Sequence, residues 1–172
     1  MKYNYSQIPV GYYDTLHNKR SGVQSKWHWL KFLKFHNSLL PSDKHLDVGC
    51  GPGTFIGNYS YGNSFGVDIA LPQIKYAQEK YGFKGQFLKV IPNEPLPFED
   101  QTFDTISLIE LVEHLNDKEN YNLLTDIKRL LKKDGRLLLS TPNYGSAWPI
   151  LEKIVNLIGV VSYEDQHINH FN

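Results

Sequence analysis

Five short apolar segments, each followed by a helical pattern or a break, constrain the fold of this 172-residue chain most strongly. We expect strands at residues 45–50, 64–69, 86–90, 104–109 and 135–141. Strands that alternate with helices need crossover connections, which produce a parallel sheet with helices on both faces. The sequence therefore predicts a doubly wound, mainly parallel α/β domain with at least five strands.

Flanking segments extend this core on both sides. Residues 1–40 are predicted to form a helical cap, because apolar positions recur near helical spacing with lysines between them: Trp27, Leu30, Leu33 and Leu40, with Lys26, Lys31 and Lys34. Residues 41–145 are the predicted core, and residues 146–172 a C-terminal helix and tail. Asn116 and Glu119 resemble a capping box that begins the helix before strand five.

Strand five would be an apolar edge of the sheet, which proteins in water normally cover. Three arrangements would cover it: the C-terminal region, a partner subunit in a homodimer, or the rest of a longer chain of which this sequence is a fragment. The sequence alone leaves these three open.

The amino-acid composition limits the kinds of partner that this chain is expected to bind. Eighteen basic residues balance eighteen acidic ones, so no overall charge attracts the chain to nucleic acid or to a membrane surface. The single cysteine, Cys50, cannot form an internal disulfide, and no apolar run reaches the roughly 18 residues that a membrane span needs. We therefore expect a cytoplasmic protein with a small-molecule partner, no nucleic acid and no membrane span.

The stretch LDVGCGPGTF, residues 46–55, is the strongest ligand-binding pattern. Gly49, Gly51 and Gly53 permit a tight turn and the close approach of a ligand to the main chain at the end of strand one. Asp68 ends strand two, where a carboxylate can accept both hydroxyls of a ribose. These features fit a dinucleotide and an adenosyl cofactor equally.

Spacing and charge separate the two ligands. A dinucleotide loop carries a third glycine where this chain has Thr54. Asp47 would repel a pyrophosphate, yet it could orient the ammonium of an amino-acid ligand, directly or through water. An amino-acid-bearing adenosyl ligand is S-adenosylmethionine, and a nucleotide-dependent oxidoreductase is disfavoured.

From about Tyr12 to Asn143 the chain resembles the class I S-adenosylmethionine-dependent methyltransferases, which have a Rossmann-like sheet. The resemblance rests on LDVGCGPGTF, GVDIA, LPFEDQTFDTI, ELVEHL and LLKKDGRLLLSTPN, in that order. It implies a methyl transfer to a small-molecule acceptor and this cofactor-binding set: Asp47, Gly49, Cys50, Gly51, Gly53, Asp68, Ile69, Asn93 and Ile109. Many relatives place an aspartate near the adenine where this chain has Pro92, and Asn93 is its expected substitute.

The segment IELVEHL resembles the E-x-x-E-H pattern of the ubiquinone-biosynthesis O-methyltransferases, which is associated with a divalent metal. If Glu110 begins a helical turn, then Glu113 and His114 share its face and the three could hold Mg²⁺ or Mn²⁺. The alternative is that Glu113 and His114 only hydrogen-bond the loop.

Methyl transfer to a hydroxyl oxygen, the slightly preferred reaction, needs a group that accepts the proton. His114 is the first candidate, with His167 and His170 of the tail behind it. A module that binds the cofactor without catalysis remains an alternative.

Overall fold

The computed structural model describes residues 8–143, 145 and 169. It contains five strands: β1 (His45–Val48), β2 (Ser64–Asp68), β3 (Gly85–Lys89), β4 (Phe103–Ile109) and β5 (Leu131–Ser140). Five α-helices accompany them: α1 (Tyr12–Asn18), α2 (Val23–His36), α3 (Thr54–Tyr59), α4 (Leu71–Tyr81) and α5 (Asp117–Leu130). The predicted C-terminal helix lies outside the described residues.

The strands form one sheet in the order β3-β2-β1-β4-β5, and every neighbouring pair is parallel. Asp47 of β1 pairs with Gly66 of β2 on one side and with Ser107 of β4 on the other. The strand order reverses at β1, because the chain passes from β3 back to β4 on the other side of β1. This topology confirms the doubly wound α/β prediction and places the reversal point at the end of β1.

Helices cover the sheet in two groups. Helix α5 adds Ile127 and Leu130 to a buried cluster with Leu46, Ile106 and Leu108 of the central strands. Helices α3 and α4 build a separate cluster: Ile56, Ile74, Ala77 and Tyr81, with Cys50 and Phe87. Right-handed crossovers on opposite sides of the reversal point put these two groups on opposite faces.

Helix α2 exists as predicted, but the prediction of its buried face was wrong. The residues that α2 buries are Ser25, His28, Phe32 and Phe35. By contrast, Trp27 is 42% exposed and Leu30 is 55% exposed, and Leu40, which follows the helix, is 52% exposed. The helix is apolar on both sides, and two phenylalanines packed beside Phe55 outcompete the expected face for the core.

Helix α1 is bound to α4 through the side chain of Asp14, which is fully buried. Its carboxylate accepts hydrogen bonds from the hydroxyls of Tyr76 at 2.8 Å and Tyr81 at 2.6 Å, and it pairs with Lys80 at 2.5 Å. The side chain of Gln73 also accepts a hydrogen bond from the backbone N–H of Gly11 at 3.1 Å. The cap is therefore fixed to the core by buried polar contacts.

Helix α5 begins as predicted, because the side chains of Asn116 and Glu119 form a capping box. It ends at Leu130, and Leu131 already pairs with Phe103, so β5 begins four residues before the strand predicted at 135–141. The register of β5 against β4 then shifts, so residues 132–135 form an irregularity inside the strand instead of a connecting turn. Strand β5 lies at the sheet edge, with Leu137 36% and Leu139 45% exposed.

Among the described residues, no helix combines the length and the apolar character that crossing a bilayer requires.

Candidate functional site

A cavity of ≈ 960 Å³ opens at the carboxyl ends of β1, β2 and β4. The structure brings most of the predicted site residues to its wall: Asp47, Gly49, Cys50, Gly51, Asp68, Ile69, Asn93, Ile109, Glu110 and His114. Gly53 and Glu113 are absent from this wall. The predicted pieces, far apart in sequence, therefore converge at the reversal point of the sheet.

The carboxylate of Asp68 holds the glycine loop in place. One oxygen accepts a hydrogen bond from the backbone N–H of Gly51 at 2.8 Å, and the other accepts one from the N–H of Ala70 at 2.8 Å. Burial raises the pKa of this carboxyl, while the backbone donors oppose the rise. Each oxygen keeps a further lone pair, so Asp68 can still accept a ligand hydroxyl.

Two of the loop glycines, Gly51 and Gly53, serve different purposes. A Cβ added at Gly51 (φ +52°) would meet no atom within 4 Å, so this position faces open space. A Cβ at Gly53 would lie 2.7 Å from the Phe87 ring and 2.9 Å from Ala77, which only a glycine avoids. Gly53 therefore permits the packing of α3 against β3 and α4, whereas Gly51 leaves room for a ligand against the main chain.

Asp47 is an almost fully buried polar group of the cavity wall, at 3% exposure. Its carboxylate accepts a 2.5 Å hydrogen bond from the hydroxyl of Ser107, and that hydroxyl contacts Nε2 of the buried His45 at 2.9 Å. Burial raises the pKa of Asp47 to about 7, with a further contribution from the nearby charge of Asp68 and an opposing one from Ser107. The site thus contains a carboxyl that a ligand cation would ionise fully.

Two residues after β3 complete the wall on that side. Pro92 and Asn93 both line the cavity, and Asn93 adopts a left-handed backbone conformation with φ 64°. Ile109, at the end of β4, lies on the opposite part of the wall. The adenine contact of Asn93 stays a prediction.

Glu110 does not begin a helical turn, so the geometric premise of the metal prediction was wrong. Its φ is +52°, and only residues Val112–His114 form a short 3-10 turn after it. Glu110 pairs with Lys31 at 2.5 Å and accepts a hydrogen bond from the Trp27 indole at 3.3 Å. Burial would raise the pKa of Glu110, but Lys31, His28 and Trp27 together outweigh burial, and the pKa lies below its usual value.

Glu113 is fully buried, and neither oxygen of its carboxyl has a hydrogen bond of ordinary geometry. Burial raises the pKa of Glu113 to about 8, which the neighbouring Thr141 hydroxyl only partly offsets. Because Glu110 and His114 line the cavity while Glu113 does not, the three groups fail to face one point. The described part of the chain holds no group of three His, Cys, Asp or Glu side chains suited to a metal ion.

Asn169, a described residue of the C-terminal tail, contacts the short turn Val112–His114. The backbone N–H of Asn169 donates to the carbonyl of Glu113 at 3.0 Å, and its side-chain amide donates to the carbonyl of Leu115 at 2.6 Å. Asn169 thus holds the turn that carries His114. His167 and His170 lie outside the described residues.

Helix α2 supplies cavity residues that the sequence analysis did not select. His28, Lys31 and Phe32 line the cavity, and burial lowers the pKa of His28 to about 3. The side chain of Lys31 is only 7% exposed, although it is one of the lysines between the apolar positions of this helix. A search for polar residues at helical spacing to Phe32 would have found His28, since it precedes Phe32 by one helical turn.

Comparison with known proteins agrees with this site. The profile of the family described as "Methyltransferase domain" matches residues 46–139, more than half of the chain. "Probable tRNA methyltransferase 9B" of Bos taurus is 29% identical over 120 residues, which cover 69% of this chain and 25% of that protein. "Uncharacterized methyltransferase YcgJ" of Bacillus subtilis is 32% identical over 117 residues, covering 64% of this chain and 45% of that protein.

Among solved structures, a SAM-dependent methyltransferase from Thermotoga maritima superimposes with a TM-score of 0.69. The match covers 93% of this chain and 69% of that one at 19% sequence identity, and so it shows the fold alone. The chain spans about a quarter of the length of the Bos taurus relative and under half of the Bacillus subtilis one.

Proposed function

The chain belongs to the class I S-adenosylmethionine-dependent methyltransferase family, and from that premise we propose that it methylates a small-molecule acceptor, preferentially at a hydroxyl oxygen. The observation that carries this proposal is the meeting of Gly51, Asp68 and Asp47 on one cavity wall. A main chain without side-chain cover lies there between a carboxylate at the end of β2 and a buried carboxyl in β1. This combination suits a ligand with a ribose and an ammonium group.

The residues present fit the cofactor that the family implies. We propose that Asp68 accepts the ribose hydroxyls and that Asp47, steadied by Ser107, orients the ammonium, directly or through water. Gly49, Cys50 and Gly51 would border the methionyl part, and Asn93, Ile69 and Ile109 the adenosyl part. When bound, S-adenosylmethionine supplies a methyl group on a positively charged sulfur.

Positioning is the main task that remains for the protein, because the cofactor loses its charge as the methyl group leaves. Holding the acceptor oxygen in line with the methyl group and sulfur is worth up to about 7–11 kcal/mol in favourable model reactions. We propose that His114 accepts the proton of the hydroxyl, since it lines the same cavity and Asn169 holds its turn. The wall formed by His28, Lys31 and Phe32 would exclude water.

Ligand binding and turnover test the proposal separately. Titration calorimetry should show binding of S-adenosylmethionine and none of NAD, and a panel of phenols, amines and transfer RNA should yield S-adenosylhomocysteine with a phenol. Binding without turnover on any acceptor would favour the binding module. His114→Gln should lower kcat while cofactor affinity is unchanged.

An RNA nucleoside is the second candidate acceptor, because the printed name of the Bos taurus relative is that of a probable tRNA methyltransferase. Turnover with transfer RNA and none with small acceptors would favour the RNA nucleoside as the methyl acceptor.

The arrangement of Glu110, Glu113 and His114 does not fit a divalent metal, and no step is assigned to one. A chelator that abolishes turnover, with Mg²⁺ or Mn²⁺ restoring it, would reverse that conclusion.

A further inference from the structure

Helix α2 carries an apolar face that stays exposed in the described residues 8–143. Val23 is 65% exposed, Leu30 is 55%, Trp29 is 47% and Trp27 is 42%. Val23, Trp27, Leu30 and Lys34 follow the spacing i, i+4, i+7, i+11, which lines one side of a helix. We define the outer face of α2 as Val23, Lys26, Trp27, Leu30 and Lys34, whereas Trp29 is exposed on another side of the helix, about 200° around the axis from Trp27. Apolar surface of this kind, concentrated on one helix, usually marks an interaction site.

The charge of this region is one-sided, although the chain as a whole is neutral. No aspartate or glutamate occurs in residues 15–42, which contain five basic residues. Among the residues that the structure describes, Lys31 is the one of these five that forms an ion pair, with Glu110. Within the described part of the chain, the other four, Lys19, Arg20, Lys26 and Lys34, are exposed and form no ion pair. The surface around α2 therefore complements an anionic partner.

Three kinds of partner could cover the outer face of α2: single-stranded RNA, a second copy of the chain, or a lipid bilayer. Single-stranded RNA would use stacking aromatics and cations, but it would gain little from Val23 and Leu30, the most exposed side chains of the face. A second copy in a symmetric dimer would bring the same unpaired lysines together, since both partners present the same patch. A bilayer with anionic headgroups accepts all three components: aliphatic side chains, tryptophans and lysines.

We propose that the outer face of α2 docks on an anionic lipid surface, with the helix parallel to the membrane plane. Trp27, Leu30 and Val23 enter the headgroup boundary, while Lys26 and Lys34 contact the lipid phosphates. The inner face of the same helix carries His28 and Phe32, which line the cavity. Docking therefore brings the cavity next to the membrane, but the binding itself does not depend on methyl transfer.

Sedimentation with vesicles tests the binding on the full chain. Vesicles of phosphatidylcholine containing phosphatidylglycerol should bind the protein at low salt, and vesicles of phosphatidylcholine alone should not. The Lys26→Gln/Lys34→Gln variant should lower the partition coefficient about 30-fold, because each lysine near an anionic surface contributes about 1 kcal/mol. Leu30→Gln should lower it as well, independently of salt.

Matched controls come from α5, where Leu124 is 41% exposed and Lys118 and Lys128 are exposed. Leu124→Gln and Lys118→Gln/Lys128→Gln carry the same chemical changes and should bind like the wild type. All five proteins should give the same circular dichroism spectrum and melting temperature. Equal losses for the α2 and α5 variants would overturn the assignment of this face.

Tryptophan fluorescence locates the contact. The chain has three tryptophans, so a Trp29→Phe/Trp148→Phe background reports only on Trp27. Anionic vesicles should shift the emission to the blue, and lipids brominated in the upper acyl chain should quench it. No shift, or a Leu30-dependent dimer in sedimentation velocity without vesicle binding, would overturn the proposal. Retention by single-stranded RNA with no retention by vesicles would overturn it in favour of RNA.

Discussion

The ammonium of Lys31 lies 2.5 Å from a carboxylate oxygen of Glu110, and this pair joins the cap to the end of β4. Both groups line the cavity, and the side chains are only 7% and 19% exposed. Glu110 also accepts the indole N–H of Trp27, so two residues of α2 converge on one carboxylate. The wall that α2 contributes to the cavity is therefore held by a partly buried ion pair.

Removing one partner of the Lys31–Glu110 ion pair should destabilise the protein more than removing both partners. Lys31→Met leaves the carboxylate of Glu110 without its cation and should lower the free energy of unfolding by about 2–4 kcal/mol. The double variant Lys31→Met/Glu110→Gln should recover at least half of this loss, because no buried charge remains. Urea unfolding of the wild type, both single variants and the double variant gives the coupling energy, and a value near zero would contradict the finding.

Gly51 and Gly53 should respond differently to alanine. Gly51→Ala meets no neighbour, so we expect a stability loss of about 1 kcal/mol from its positive φ and a large loss of S-adenosylmethionine affinity. In Gly53→Ala the added Cβ would clash with Phe87 and Ala77, so this variant should lower the free energy of unfolding by about 2–4 kcal/mol. Urea unfolding and titration calorimetry on both variants separate the two roles. Equal stability losses would show that the loop packs differently.

The alternation of strands and helices and the glycine loop could be predicted because each rests on local chemistry. The order of the strands was not predicted, because crossover handedness decides which face of the sheet a helix covers and does not decide which strands become neighbours. The buried face of α2 could not be predicted, because Trp27 and Leu30 compete with Phe32 and Phe35 for the core. Which pair is buried depends on the position of Phe55. The left-handed backbone of Glu110 also escaped prediction, because a glutamate seldom adopts it and no neighbouring residue indicates it.

Cofactor affinity should depend on pH through Asp47, whose pKa is about 7. An ammonium ligand prefers the ionised carboxylate, so the affinity for S-adenosylmethionine should rise about fivefold from pH 6 to pH 7. Ser107→Ala removes the hydrogen bond that lowers this pKa and should shift the rise to higher pH. Asp47→Asn should bind more weakly and show no rise over this interval. Calorimetric titration at several pH values provides the measurement, and a flat wild-type profile would rule out Asp47 as the ammonium partner.

Glu113 should make the folded protein less stable as the pH rises. Its pKa in the folded state is about 8, above the ordinary value of 4.5, so the folded state binds the proton more tightly than the unfolded state. Its stabilising contribution is complete below pH 4.5 and is lost as the pH rises through 8. Glu113→Gln keeps the shape without the ionisation, so it should raise the free energy of unfolding at pH 8 by about 1–3 kcal/mol and change it little at pH 4.5. Urea unfolding at four pH values measures this difference, with Glu79→Gln on the exposed side of α4 as the control. If the difference between Glu113→Gln and the wild type stayed constant with pH, the carboxyl would have to be ionised in the folded protein, and a cation beside it would have to be sought.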